Sequence, residues 1–220
     1  MNVTTLMRRA AQHYSNHEAI IYNDVRLTFA QAWIRGVRLA NGLLAMGLRP
    51  GDRVGVLEDN SVEAADFFQA AAIASLGRVP LYPRNGRAAH LHMLGHTNCR
   101  ALLVSESHAH ETAGLEAELP DLEHIFIRDE KYEPWLAQQS EIDPDIAVAA
   151  TDYFIIRHTG GTTGPSKGVA YTHKAWLAAG RDWFYTFPPV EPADKCLHLG
   201  PISHGSGYQY LPVWLAGGCN

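Results

Sequence analysis

The sequence predicts an α/β fold in which a largely parallel sheet is flanked by helices. Three observations carry this expectation. Segments with apolar residues at helical spacing alternate with short apolar runs of strand length. The 220 residues, 46% hydrophobic and 19% charged, are enough to bury a real core. A glycine- and threonine-rich segment, "RHTGGTTGPSKGVAYTH", directly follows one of the strand-like runs.

The first well-marked element is "TFAQAWIRGVRLANGLLAMG", a helix with Phe29, Trp33, Val37, Ala40 and Leu44 on one face. Thr28 and Gln31 make a capping box, and Gly47 is a stop. "DRVGVL" reads as a buried strand. Asn60 and Glu63 are placed to cap the next helix, "SVEAADFFQAAAIASLG", which ends at Gly77. "RVPLYP" is a strand, residues 88–95 a helix, and "ALLVS" and "HIFIRD" are strands with a helix over 111–119 between them. Residues 133–151, with Pro134, Pro144 and several acidic groups, read as a surface connection. "DYFII" is the next core strand, and the glycine-rich loop follows it. "KGVAYTH" is a return strand, and Thr172 or His173 starts a helix through "KAWLAAGRDWFYTF". "KCLHLG" reads as a late strand. "GYQYLPVWLAGG" reads as a helix with Pro212 in or near its first turn.

The loop has the makings of an anion cradle. Glycines let the backbone approach a ligand, threonines offer hydroxyls, and Lys167 offers a mobile charge. It is not a P-loop, because Ser166 stands where the second glycine is required and Gly168 where Ser or Thr is required. It is not a dinucleotide fingerprint either, since no two of its glycines are separated by a single residue. The run T-G-G-T-T-G-P-S-K-G-V-A-Y-T-H resembles the signature loop of the adenylate-forming superfamily, which includes acyl-CoA synthetases, peptide-synthetase adenylation domains and luciferases. Thr159, Gly161, Thr162, Thr163, Gly164, Lys167, Gly168, Val169, Thr172 and His173 match it in type and spacing. Gly160 replaces a common serine, as in some bacterial fatty-acid ligases, and Ser166 replaces a common proline, which loosens the turn. "RLANGLLAMGLRPGDRVGVLEDNSVEAADFFQAAAIASLGRVPLYPRNG" and "LHLGPISHGSGYQYLPVWLAGG" are similar to earlier and later parts of the same family, so the resemblance spans nearly the whole chain.

The resemblance implies that residues 1–220 are the N-terminal part of an AMP-binding (adenylation) domain. It implies ATP, Mg²⁺ and coenzyme A as reaction partners of a carboxylate–CoA ligase, with a fatty acid favoured. It places Thr159, Gly160, Gly161, Thr162, Thr163, Gly164 and Lys167 on the β- and γ-phosphates. It places His204, Gly205 and Tyr208 at the acid pocket, with Trp214 as a further apolar wall. No residue of this segment is assigned as catalytic, and no protein metal ligand is assigned. No segment resembles the family's Y-G-x-T-E loop, its T-G-D segment or its catalytic-lysine domain, so the chain alone is expected to be inactive. An uncovered sheet edge would then favour self-association, for instance as a homodimer. The alternatives are an amino-acid-adenylating fragment and a non-catalytic nucleotide-binding or interaction module.

Bulk properties narrow the partners. A formal net charge of −5 gives no reason to expect nucleic acid. Cys99, Cys196 and Cys219 fit free thiols rather than a disulfide framework or a zinc site, and no run reaches signal-peptide or membrane-span length. The cytoplasm is the expected location. His92 and His96, at i and i+4 with His90 nearby, read as a solvated helix face because no third ligand accompanies them. His108 and His110 read as loop residues.

Overall fold

The structure is a computed structural model and describes residues 1–160 and 165–220. Helix α1 (Val3–His13) begins at Asn2, whose side chain accepts from the Thr5 N–H at 2.8 Å. An antiparallel hairpin follows, β1 (Glu18–Tyr22) and β2 (Val25–Thr28), turning at Asn23 with φ 51°. No sequence expectation covers these elements. Thr28 then caps α2 (Phe29–Ala45) in the expected box: its Oγ1 accepts from the Gln31 N–H at 3.2 Å, and Gln31 Oε1 accepts from the Thr28 N–H at 2.9 Å. Gly47, at φ +96°, follows the helix end where only glycine is unstrained.

Six strands, β3 (Arg53–Leu57), β4 (Gly77–Pro80), β5 (Cys99–Ser105), β6 (His124–Arg128), β7 (Tyr153–His158) and β8 (Gly168–Thr172), form one sheet in the order β6-β5-β3-β4-β7-β8. Every neighbouring pair is parallel except β7–β8. Helices α3 (Val62–Ile73), α4 (Arg87–His96), α5 (Leu115–Glu118), α6 (Tyr132–Ala137), α7 (His173–Thr186) and α8 (Gly207–Leu215) complete the chain. Strand alternation sorts the core into two layers. Val54, Val56, Ala101 and Leu103 join one apolar cluster with α2, α3 and α8, while Leu57, Leu102 and Val104 join another with α4. The expected fold, a largely parallel sheet flanked by helices, is thus the observed one.

Helix α3 is the centre of the larger layer: every residue in it except Glu63 is buried. Burial on nearly every side, with Asp66 accepting from Arg35 and Gln69 donating to the Tyr210 hydroxyl, marks a core helix rather than an amphipathic one. Gly36 lets α2 lie directly against it, since a Cβ there would stand 2.3 Å from Gln69 Cβ.

Several expectations need correction. Ser61, not Asn60, caps α3, its Oγ accepting from the Ala64 N–H at 3.1 Å. The helix stops at Ile73, and Gly77 already belongs to β4. The span expected to be helical at 111–119 divides at Gly114, φ +74°, into a 3₁₀ segment (Glu106–Thr112) and the short α5. His108 and His110 lie in that 3₁₀ segment. The connection over 133–151 begins inside α6, which buries Tyr132 and Leu136 and tolerates Pro134 in its first turn. "KCLHLG" is no strand: it makes one isolated bridge, Lys195 to Cys219, and Leu197 and Leu199 are 79% and 90% exposed. Pro212 lies in the body of α8, past its first turn, and its ring faces Gly180 of α7, where an added Cβ would lie 3.6 Å from Pro212 Cγ. Trp214 is fully buried, 4.6 Å from the Phe29 ring, and donates to the Met7 carbonyl at 3.1 Å. It is a core residue and forms no wall of the site described next.

Candidate functional site

Strand β7 delivers the glycine-rich loop and β8 receives it. The loop is closed at its base: the Thr159 N–H donates to the Lys167 carbonyl at 2.9 Å, and the Lys167 N–H donates to Thr159 Oγ1 at 3.3 Å. Gly160 is exposed, and an added Cβ there would meet nothing within 4 Å. Of the expected phosphate ligands, Gly161, Thr162, Thr163 and Gly164 lie outside the described residues. On the far shoulder, His92 Nε2 of α4 donates to the Ser166 carbonyl at 2.8 Å. That bond restrains the turn at the position where the commoner proline is missing.

Thr159 opens onto a cleft of about 260 Å³ that also bears Arg157, Tyr171, His204, Gly205 and Tyr208. The root of the loop and all three expected acid-pocket residues therefore face one space. Three side chains fix its wall. Tyr208 stacks on Trp176 with centroids 4.8 Å apart, and its hydroxyl lies 3.1 Å from that of Tyr171. The Arg157 guanidinium sits 4.4 Å above the Tyr208 ring. The Tyr171 hydroxyl is pushed above its ordinary pKa by the bond to Tyr208 and then by burial.

The His204 ring rests against Tyr82, centroids 4.9 Å apart, and the backbone N–H of His204 donates to the Pro201 carbonyl at 2.9 Å. Partial burial and, secondly, the charge of Arg157 hold its imidazole below the usual pKa, so it is neutral near pH 7. Its position is set from a distance in sequence. Asn60 donates to the carbonyls of His198 (3.3 Å) and Gly200 (2.9 Å) and accepts from the Ile202 N–H at 2.8 Å. The residue expected to cap a helix instead pins the segment leading to His204. A polar side chain just beyond the end of β3 was the available signal, but its partners are some 140 residues away.

His92 and His96 are not a simple solvated face. His158 of β7 brings a third imidazole, centroids 6.4 and 6.0 Å from theirs. Among the described residues, however, no group of three or more His, Cys, Asp or Glu is arranged to hold a metal ion. His90 is buried and bonded to the Tyr82 carbonyl at 3.0 Å. His173, the last residue of the loop motif, is fully buried and accepts from the Val3 N–H at 3.2 Å, tying α7 to α1.

Burial lowers the pKa of both His158 and His173 from 6.5 to about 4, with His96 and His92 adding repulsion at His158. The unfolded chain binds these protons first, so stability is complete above about pH 6.5 and is lost as pH falls towards 4. Each pKa unit corresponds to at most ~1.4 kcal/mol, and solvent screening reduces the share of the half-enclosed His158, so the effect is on the order of a few kcal/mol and comes mainly from His173. The urea midpoint is expected to fall clearly between pH 7.5 and pH 4.5, and His173→Gln to shrink that fall. A midpoint that does not move over this range would contradict the assignment.

Comparison with known proteins gives the family. Residues 7–220 match the family model described as AMP-binding enzyme. The long-chain-fatty-acid–CoA ligase FadD13 of Mycobacterium tuberculosis is 28% identical over 207 residues, covering 92% of this chain and 41% of the relative. A feruloyl-CoA synthase from Amycolatopsis is 30% identical over 220 residues, covering 96% and 41%. The inhibitor-bound N-terminal domain of FACL13 from M. tuberculosis superimposes with a TM-score of 0.93 at 25% identity, over 99% of this chain and 56% of that one. The chain thus spans less than half the length of these two sequence relatives. The chain belongs to the AMP-binding enzyme family.

Proposed function

We propose that this chain forms the ATP-phosphate loop and the acid cleft of a carboxylate–CoA ligase. The observation that carries the reading is that Thr159, at the root of the loop, shares one cleft with His204, Gly205 and Tyr208. In the reaction a carboxylate oxygen attacks the α-phosphorus of ATP, the bond to the β-phosphate breaks, and pyrophosphate leaves. The thiol of coenzyme A then attacks the acyl carbon of the acyl-adenylate, the bond from that carbon to the phosphate oxygen breaks, and AMP leaves as the thiol gives up its proton.

Negative charge grows on the leaving diphosphate. The N–H and hydroxyl donors of Thr159–Gly164 and the ammonium of Lys167 are assigned to that charge, and a preformed donor set lowers the barrier because it needs no reorganisation. Mg²⁺ accompanies the triphosphate and neutralises further charge on it. A neutral His204 can offer an N–H to an oxyanion without repelling Arg157. Among the described residues no helix is long and apolar enough to cross a membrane. A cytoplasmic location and self-association through the exposed edge at β8 belong to the same proposal.

The test is acid-dependent exchange of labelled pyrophosphate into ATP, in the intact enzyme of which these residues are proposed to be a part. Exchange that requires an added carboxylic acid is expected. An enzyme that binds ATP but exchanges with no acid in a broad panel would remove the ligase reading.

A further inference from the structure

The proposed function leaves one charge in the cleft unexplained. Arg157 is only 8% exposed, and among the described residues it makes no ion pair. Among the described residues its buried Nη1 has no hydrogen-bond partner. Its face is covered by Tyr208, which offers π density but no acceptor along the edge of the fork. Glu58, the buried carboxylate paired with Arg78, is already engaged by both Arg78 and Arg128. The groups on which its charge is seen to act, Arg78, His204 and Tyr171, include no carboxylate. A guanidinium cannot discharge itself by losing a proton. A buried, uncompensated charge is costly unless something supplies the opposite sign.

We infer that Arg157 receives a second anionic group on the acid substrate, a carboxylate remote from the one that reacts with ATP. This rests on the ligase reading above and deepens it. The reacting carboxylate is a poor candidate for the same fork. It loses its charge on attacking phosphorus, so a fixed cation on it would stabilise the ground state more than the transition state. The phosphates are a poor candidate as well. Thr159, at the root of the loop, lies two residues along an extended strand from Arg157, about 7 Å away, whereas the guanidinium is in direct contact with Tyr208 of the proposed acid pocket. A planar fork above an aromatic ring suits bidentate recognition of a carboxylate. The acid class is therefore a dicarboxylic acid rather than a plain aliphatic chain.

The experiment is calorimetry on the intact enzyme of which these residues are proposed to be a part, saturated with a non-hydrolysable ATP analogue. Matched pairs of acids are compared: butanoate with succinate, hexanoate with adipate, octanoate with suberate. At one or more lengths the diacid is expected to bind roughly tenfold or more tightly than its monoacid, as a charge-assisted contact implies. Arg157→Met should abolish that preference. Arg157→Lys, which keeps the charge but not the fork, should keep part of it. The wild-type preference needs no variant, so a misfolded Arg157→Met would not remove the test. Acids that bind without preference for the diacid overturn this inference and leave the ligase reading intact. If Arg157→Met weakens the ATP analogue instead, the anion is a phosphate and the inference also fails. An intact enzyme that binds neither nucleotide nor any acid defeats both readings.

Discussion

Glu58→Gln is expected to lower the unfolding free energy by about 3–5 kcal/mol, the usual cost of leaving a buried charge without its partner. Glu58 lies just beyond β3 and is 1% exposed. One of its oxygens accepts from Arg78 of β4 at 2.9 Å, and the other accepts from Arg128 of β6. Arg128 also donates to the Glu63 carbonyl at 2.6 Å, which ties the network to the start of α3. Glutamine keeps the shape but leaves two buried guanidinium groups facing one another without a counter-charge. The Arg78 guanidinium also lies 4.2 Å over the Phe68 ring, a contact that cannot replace a carboxylate. Urea unfolding followed by circular dichroism measures the loss. A change below about 1 kcal/mol would show that the network is solvated or able to rearrange. Replacing all three charges by apolar groups of similar size is expected to cost much less than the single change.

Lys167→Ala is expected to slow pyrophosphate exchange by about 10²–10³-fold in the intact enzyme, the range found when one preorganised donor to a developing oxyanion is removed. The backbone at 167 closes the loop through Thr159 and does not depend on the side chain. The variant should therefore keep the stability of the parent while losing rate. Unfolding curves run beside the exchange assay separate these effects. A fall in rate that merely follows a fall in stability would assign Lys167 to the fold rather than to the phosphates.

The parts of this protein legible in the sequence are those set by local rules. The Thr28–Gln31 box, the apolar stripe of α2 and the strand before the loop each follow from residues within a few positions of one another. The loop was legible for the same reason, because its glycines, threonines and lysine are contiguous. What escaped is set by pairing at long range. Arg157 reads as one residue in a strand end, and only the packing of α8 against β7 shows that it faces Tyr208. His158, its neighbour, lies with His92 and His96 of α4. Asn60 looked like a cap because caps are local, whereas its bonds reach the segment before His204. "KCLHLG" has strand composition but, among the described residues, no neighbouring strand beyond a single bridge, so its leucines stay exposed. Trp214 looked like a pocket wall from its nearness in sequence to Tyr208. Six residues along a helix turn it away, towards Phe29 and Met7.

The most direct measurement is an amide-resolved NMR titration of the 220-residue chain with ATP and Mg²⁺. Saturable shifts are predicted to be largest from Thr159 to Lys167, smaller from His204 to Tyr208, and lost in Lys167→Ala. Saturable shifts centred elsewhere, or a loop that does not respond to the nucleotide, would contradict the placement of the triphosphate on which the proposed function depends.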